Sequence, residues 1–308
     1  MAGHGELHPA LKALLAFQAG APPLSRLQPA EARRQFARPR AAFGTGPALP
    51  RVEDRLIRHA GREVPCRLYV PETPVGLCVQ FHGGGWVLGE LDDFDAFLRE
   101  FARRSGCAIL AVNYRLAPEH PFPAALDDAA AAIGWAAEEG VRELGLPAGL
   151  VLLGDSAGAN IATVSALDLA DRVGIRLQVL FYPVVDADFT RPSFRDFGEG
   201  YLLSSADMRW FFRHYAAPEQ WRDPRIAPLH RADLAKAPPA WIAVAAHDVL
   251  ADEGRAYARA LAAVGVPVQL RDCGDLMHGF ARMYAMADSA NAAMDDAAAA
   301  TGAAFKRA

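Results

Sequence analysis

Cysteine is scarce and scattered in this chain. The four residues Cys66, Cys78, Cys107 and Cys273 show no Cys-x-x-Cys spacing, which excludes the common structural zinc frameworks and the dithiol redox motif; reduced, mostly buried thiols are the expectation. Long apolar runs are missing as well, since no stretch approaches the roughly 18 residues that a membrane span requires. The opening MAGHGELHPALKALLAFQAG has an apolar centre at residues 13–17. It lacks a basic segment ahead of that centre, and Gln18 interrupts it early, so it reads as a helix and not as a secretory leader. Net charge is small, −4 over 308 residues, which gives no reason to expect nucleic acid or an anionic membrane as partner. These absences fit a soluble, cytoplasmic protein. A composition of 52% hydrophobic residues supplies a sizeable core, and the length allows one large α/β domain or two small ones.

The stretch LVLLGDSAGAN, residues 150–160, organises the rest. An apolar run stops at Gly154, a serine follows two residues on, and a small-residue helix begins after it. Gly-x-Ser-x-Gly on a strand-to-helix turn exposes the serine hydroxyl in a strained backbone, and the two glycines permit close approach of strand and helix. Ser156 is therefore the candidate nucleophile. On its own the pentapeptide also fits an incidental Gly-rich loop, so the remaining chain has to decide.

Upstream, residues 7–20 carry leucines at near-helical spacing, followed by a Pro- and Arg-rich connection. Residues 52–59 and 64–70 read as a hairpin turning at Gly61. Residues 76–81 form a buried strand ending in His82-Gly83-Gly84-Gly85-Trp86. Three bare glycines are costly in entropy, and what they offer is backbone N–H groups that can face a developing oxyanion, with Ala157 at the helix N-terminus supplying another. His82 is expected to brace that loop, not to act as a base. A helix at 92–105, a strand at 108–114, a proline-constrained loop, a helix from 124 and the strand before Ser156 set a βαβ rhythm, hence parallel pairing with helices on both faces. Arg115, Glu119 and His120 are read as structural supports of the glycine loop.

Beyond Ser156 the helix is expected to reach about 172, with strands at 177–181 and 240–245. The interval between those strands far exceeds an ordinary connection. It is dense in aromatics, and an insertion leaving the carboxyl ends of strands sits over the catalytic edge. Residues 1–45 and 186–225 are accordingly read as a helical cap, with 46–185 and 226–308 as the catalytic domain. The last strand, 268–271, leads into a loop holding His278. Where a serine occupies such a turn, the chain order is serine, acid, histidine, on loops after successive strands; Asp248 and His278 satisfy it. Asp252 and Glu253 compete as the acid but fall in the first turn of a helix, where acids are favoured anyway. His247 is the alternative base.

With these residues in place the chain resembles the hormone-sensitive-lipase-like carboxylesterases of the α/β-hydrolase superfamily, through HGGGWVLG (82–89), YRLAPEHPFPAALDD (114–128), GDSAGAN (154–160), HDVLADEG (247–254) and MHGF (277–280). The resemblance implies a mostly parallel eight-stranded sheet with helices on both faces, and a Ser156, Asp248, His278 triad. It implies an oxyanion hole from the amides of Gly84, Gly85 and Ala157, no metal or organic cofactor, a small-molecule ester substrate and a possible homodimer. Trp86, Tyr182, Tyr201, Phe211 and Phe280 are the candidate pocket residues. Two positions depart from the common pattern, Val249 in place of proline after the triad aspartate and Ala159 in place of a second glycine. Rival readings are an amide hydrolase of arylformamidase type on the same scaffold, a lipase acting on insoluble triglyceride, and a non-catalytic binding protein like the plant gibberellin receptors. The receptors lack the triad histidine that is present here.

Overall fold

The computed structural model describes residues 5–306. Its centre is one eight-stranded sheet in the order β1-β2-β4-β3-β5-β6-β7-β8. Strands β1 (Arg51–His59) and β2 (Arg62–Val70) form the expected hairpin, with Ala60 and Gly61 both at positive φ in a two-residue turn. β2 pairs antiparallel with β4 (Ala108–Val112). From there β3 (Leu77–Phe81), β5 (Leu150–Asp155), β6 (Ile175–Phe181), β7 (Ala240–His247) and β8 (Val268–Met277) continue in parallel.

Central strands are buried on both faces, which is why they read as continuous apolar runs. Alternate residues serve two cores. Cys78, Val151 and Val179 face helix α3 (Leu91–Ser105) and the C-terminal helix. Val79, Leu152 and Leu180 face the opposite layer, which holds α4 (Ala124–Trp135, continuing through a wider turn to Glu143), α5 (Ala157–Asp168) and the helix after β7. All four cysteines are free and buried, and burial pushes the Cys66 thiol up to about 12. No helix among the described residues is long and apolar enough to cross a membrane.

Two boundaries differ from the sequence reading. Helix α5 ends at Asp168, because Leu169 leaves helical geometry and a tight turn, Val173 N–H donating to Leu169 O, brings the chain to β6. β8 runs on to Met277 where a loop was expected. Its outer positions are polar and exposed because it is an edge strand, and a register shift opposite Ala245 and His247 accommodates the extension.

Residues 5–49 and 182–239 lie outside the strand-helix rhythm. The first holds α1 (Pro9–Gln18) and α2 (Pro29–Ala37). On α2, Arg33 donates to Val87 O and Ala117 O and pairs with Glu119 at 2.6 Å, fastening this segment to the glycine loop and to the proline-rich loop. Arg115, by contrast, pairs with the buried Asp128 at 2.8 Å. The second segment holds α6 (Pro192–Asp196) and α7 (Ser205–Tyr215), whose Ser204 and Asp207 form a capping box. Its two ends are drawn to the nucleophile helix by Asn160, which donates to Val184 O at 3.0 Å and Ile226 O at 2.9 Å. The chain closes with α8 (Ala251–Ala263) and α9 (Asp288–Lys306).

Candidate active site

Parallel strands all point their carboxyl ends to one edge, so β3, β5, β7 and β8 deliver their following residues to the same place. At the end of β5, Ser156 stands at φ 55, ψ −121, a region that L-residues avoid. The surroundings impose it: Ser156 N–H donates to Phe181 O at 2.9 Å, and its carbonyl accepts from Asn160 N–H at 3.1 Å. A Cβ on Gly158 would lie 2.0 Å from Phe81 O, and one on Gly154 would lie 2.3 Å from Gly158 O. Both glycines are thus required by close backbone approach. Of the four non-glycine residues at positive φ among the described residues, three, Trp86, Ser156 and Tyr182, surround this point, the kind of clustering that backbone strain shows at functional sites.

His278, after β8, places Nε2 3.0 Å from Ser156 Oγ and Nδ1 2.7 Å from Asp248 Oδ2. Asp248, after β7, is buried, and its other oxygen accepts from Leu250 N–H at 3.0 Å. Its carboxylate is thereby fixed from both sides, and the imidazole is held with one nitrogen on the acid and the other on the serine. The competing acids are engaged elsewhere. Asp252 accepts from Ser193 N–H at 2.9 Å, and Glu253 accepts from Val185 and Asp186 N–H. His247 turns to Leu276 O and packs on Phe197 and Tyr201.

The glycine loop is anchored at two points. Gly83 N–H donates to Asp155 Oδ1 at 2.8 Å, and Tyr114 Oη donates to His82 O at 2.7 Å. The His82 ring stacks on Tyr114 at 4.4 Å and its Nδ1 meets Gly83 O at 2.8 Å. Burial pulls its pKa down to about 4, so the brace is neutral. The amides of Gly84 and Gly85 have no protein acceptor among the described residues, and Ala157 N–H opens α5, where no intrahelical acceptor exists. Such an arrangement can receive negative charge on an oxygen beside Ser156.

A cavity of about 580 Å³ opens over Ser156 and His278. Its lining comes from the glycine loop, from Leu14 to Phe43, and from Leu202, Leu203, Met208 and Phe211 of the long insertion. Trp86 and Phe211 are in it. Tyr182, Tyr201 and Phe280 lie outside this lining. The Tyr182 ring lies 4.6 Å from His278 and its hydroxyl accepts from Ala281 N–H, while Phe280 is buried against Tyr182 and Phe181. Both support the histidine loop from below. Tyr201 packs on Phe197 and His247, away from the lining. Two side chains went unnoticed in the sequence: Asp155, within GDSAG, and Arg282, four residues past His278, which lines the cavity. A lone arginine in the apolar MHGFARMY was the available signal for the second. Among the described residues no three His, Cys, Asp or Glu side chains cluster so as to hold a metal ion.

Comparison with known proteins agrees with this architecture. A family described by its α/β-hydrolase fold matches residues 78–282. The chain is 38% identical to an ethyl acetate hydrolase of Pseudomonas putida, over 87% of this chain and 88% of that protein. It is 42% identical to the carboxylic ester hydrolase LipN of Mycobacterium tuberculosis over 76% of this chain, a match spanning 65% of that relative's length. Among solved structures, a thermostable esterase from Pseudomonas putida superposes with a TM-score of 0.91 at 30% identity, covering 99% of each chain. The hyperthermophilic esterase of the archaeon Pyrobaculum calidifontis gives 0.89 at 33%, covering 97% of this chain and 99% of that one.

Proposed function

We infer from one premise, that this chain belongs to the α/β-hydrolase family and to its hormone-sensitive-lipase-like branch, that it is a serine carboxylesterase acting on small esters of short to medium acyl chains. The observation that carries the reading is the unbroken hydrogen-bonded line from Asp248 through His278 to Ser156, at 2.7 and 3.0 Å. His278 Nε2 takes the Ser156 proton as Oγ bonds to the ester carbonyl carbon. The carbonyl oxygen becomes an oxyanion facing the amides of Gly84, Gly85 and Ala157. Asp248 accepts from Nδ1–H, fixes the tautomer and stabilises the imidazolium. Collapse breaks the bond to the alkoxy oxygen, which leaves as alcohol with the proton from Nε2. Water, deprotonated by the same nitrogen, then attacks the acyl-enzyme and releases the acid and the free serine.

The segments expected as cap, 1–45 (of which 1–4 lie outside the described residues) and 186–225, close an apolar chamber over the serine in this scheme; the contributions of Leu14, Phe36, Leu203 and Phe211 to the cavity lining support that role. Replacing Ser156 with alanine is expected to lower kcat for p-nitrophenyl butyrate on the order of 10⁶-fold, measured by nitrophenolate release. Activity near that of the unaltered protein would overturn the reading. A series from acetate to dodecanoate should peak at short to medium chains, and a flat profile would contradict a size-limited chamber.

A further inference from the structure

Arg282 lines the cavity, and the esterase reading leaves its chemistry unused. Its guanidinium carbon lies 4.5 Å from the Phe36 ring, 5.0 Å from Phe43 and 4.9 Å from Phe94, a cage built from the N-terminal segment and α3. Aromatic faces hold a cation without neutralising it. Its single hydrogen bond among the described residues is weak, Nη1 donating to Asp93 O at 3.4 Å, and no carboxylate pairs with it. Arg282 is partly buried, and arginines withdrawn from solvent ordinarily have such a partner.

The nearby acids are already committed. Asp93 pairs with Arg40 at 3.0 Å and accepts from Glu90 N–H at 2.9 Å. Asp155, the only carboxylate lining the cavity among the described residues, is tied to Gly83 N–H. A second cation, the exposed Arg38, lines the same cavity and has no ion pair among the described residues. The chamber that holds the serine therefore carries two cations against one carboxylate, Asp155, which attracts Arg282 without forming an ion pair with it. A planar guanidinium with free N–H groups matches a carboxylate fork, and the pairing is strong where water is excluded.

Resting on the esterase reading above, we propose that Arg282 is a specificity residue that receives the carboxylate of an anionic ester, so that the preferred substrates are monoesters of dicarboxylic acids or esters bearing a carboxylate at similar reach. In such a substrate the apolar chain lies along the cavity wall, its ester carbonyl meets Ser156, and its remote carboxylate docks on the caged guanidinium.

The test compares monoethyl succinate, glutarate and adipate with the ethyl esters of monocarboxylic acids of matching length, following acid release by pH-stat. For at least one length, the ratio of kcat/KM, monoester over neutral ester, should fall about tenfold or more in Arg282→Gln, mainly through KM, with partial recovery in Arg282→Lys. A structural role in supporting Asp155 would lower both substrates together, and an unchanged ratio at every length would overturn the proposal while leaving the esterase reading intact. Failure of the unaltered protein to hydrolyse any of these esters would instead remove the esterase reading and this proposal with it. A measurement on the unaltered protein needs no variant. Adipic acid monoamide should inhibit ethyl hexanoate hydrolysis about tenfold more strongly than hexanamide, and equal inhibition would count against the docking.

Discussion

Gly84→Ala isolates the glycine loop from the rest of the site. At Gly84 the backbone has φ +120, which only glycine adopts without strain, and an added Cβ would lie 2.2 Å from Leu88 O and 2.7 Å from Leu88 C. Neither atom can easily retreat, since Leu88 N–H donates back to Gly84 O at 2.8 Å and Val87 N–H to the same oxygen at 3.1 Å. The methyl group must therefore rotate the 84–85 peptide or push the turn apart. The backbone strain costs about 1–3 kcal/mol, and with the clash a total loss of roughly 2–4 kcal/mol in folding stability is expected. Any relaxation displaces an amide that the proposed mechanism assigns to the oxyanion. Loss of one such donor lowers kcat on the order of 10² to 10³, while KM, which reflects ground-state binding in the cavity, should change far less. Initial rates with p-nitrophenyl butyrate and urea melts read the two effects separately. Gly85→Ala is the internal comparison, because its Cβ would meet the Phe211 ring, a side chain that can swing, at 2.2 Å and φ +59; its kcat loss should be smaller. A folded Gly84→Ala protein with kcat within about threefold of the parent would refute the oxyanion role of this loop.

Two further outcomes test neighbouring residues. Asp248→Asn should lower kcat on the order of 10⁴ by disturbing the imidazole tautomer, whereas Asp252→Asn, which touches only the Ser193 amide and the flank of α8, should leave kcat within about threefold; the reverse ranking in steady-state assays would move the acid to Asp252. Burial raises the Asp155 pKa from 3.8 to about 6, against the opposing pull of Arg282 and the Gly83 amide. The folded state thus binds this proton more tightly than the unfolded chain, so the associated stability is full below the ordinary aspartate value and is lost as pH rises through about 6. Asp155→Asn should therefore gain on the parent in urea midpoint more at about pH 8 than at about pH 4.5, and an equal difference at both pH values would show that Asp155 does not titrate this way.

Much of the fold was legible because central strands buried on both faces leave unbroken apolar runs, each closed by glycine or a polar loop. The edge strand β8 was cut short in the sequence reading for the opposite reason: Asp272, Gly274 and Asp275 read as loop, and only the pairing of Asp272, Cys273 and Met277 with β7 shows that the strand runs on through them. The candidate triad was readable from chain order, since parallel strands deliver their ends to one edge whatever the intervening length. Direction of side chains was not readable. Tyr182 and Phe280 follow the right strands but point beneath the histidine, because the loop that carries His278 needs a floor. Arg282 stayed hidden because its environment is assembled from Phe36, Phe43 and Phe94, each remote from it in sequence.

The turn at Ser156 also bears on how this protein responds to selection for heat resistance. A residue held at φ 55 is kept there by its neighbours against its own preference, and glycine at that position would relieve the conflict at no steric cost. Durability and chemistry therefore pull this one position in opposite directions. Laboratory evolution scored on survival alone would tend to trade the hydroxyl away first, and a screen for robust variants has to score turnover in the same round.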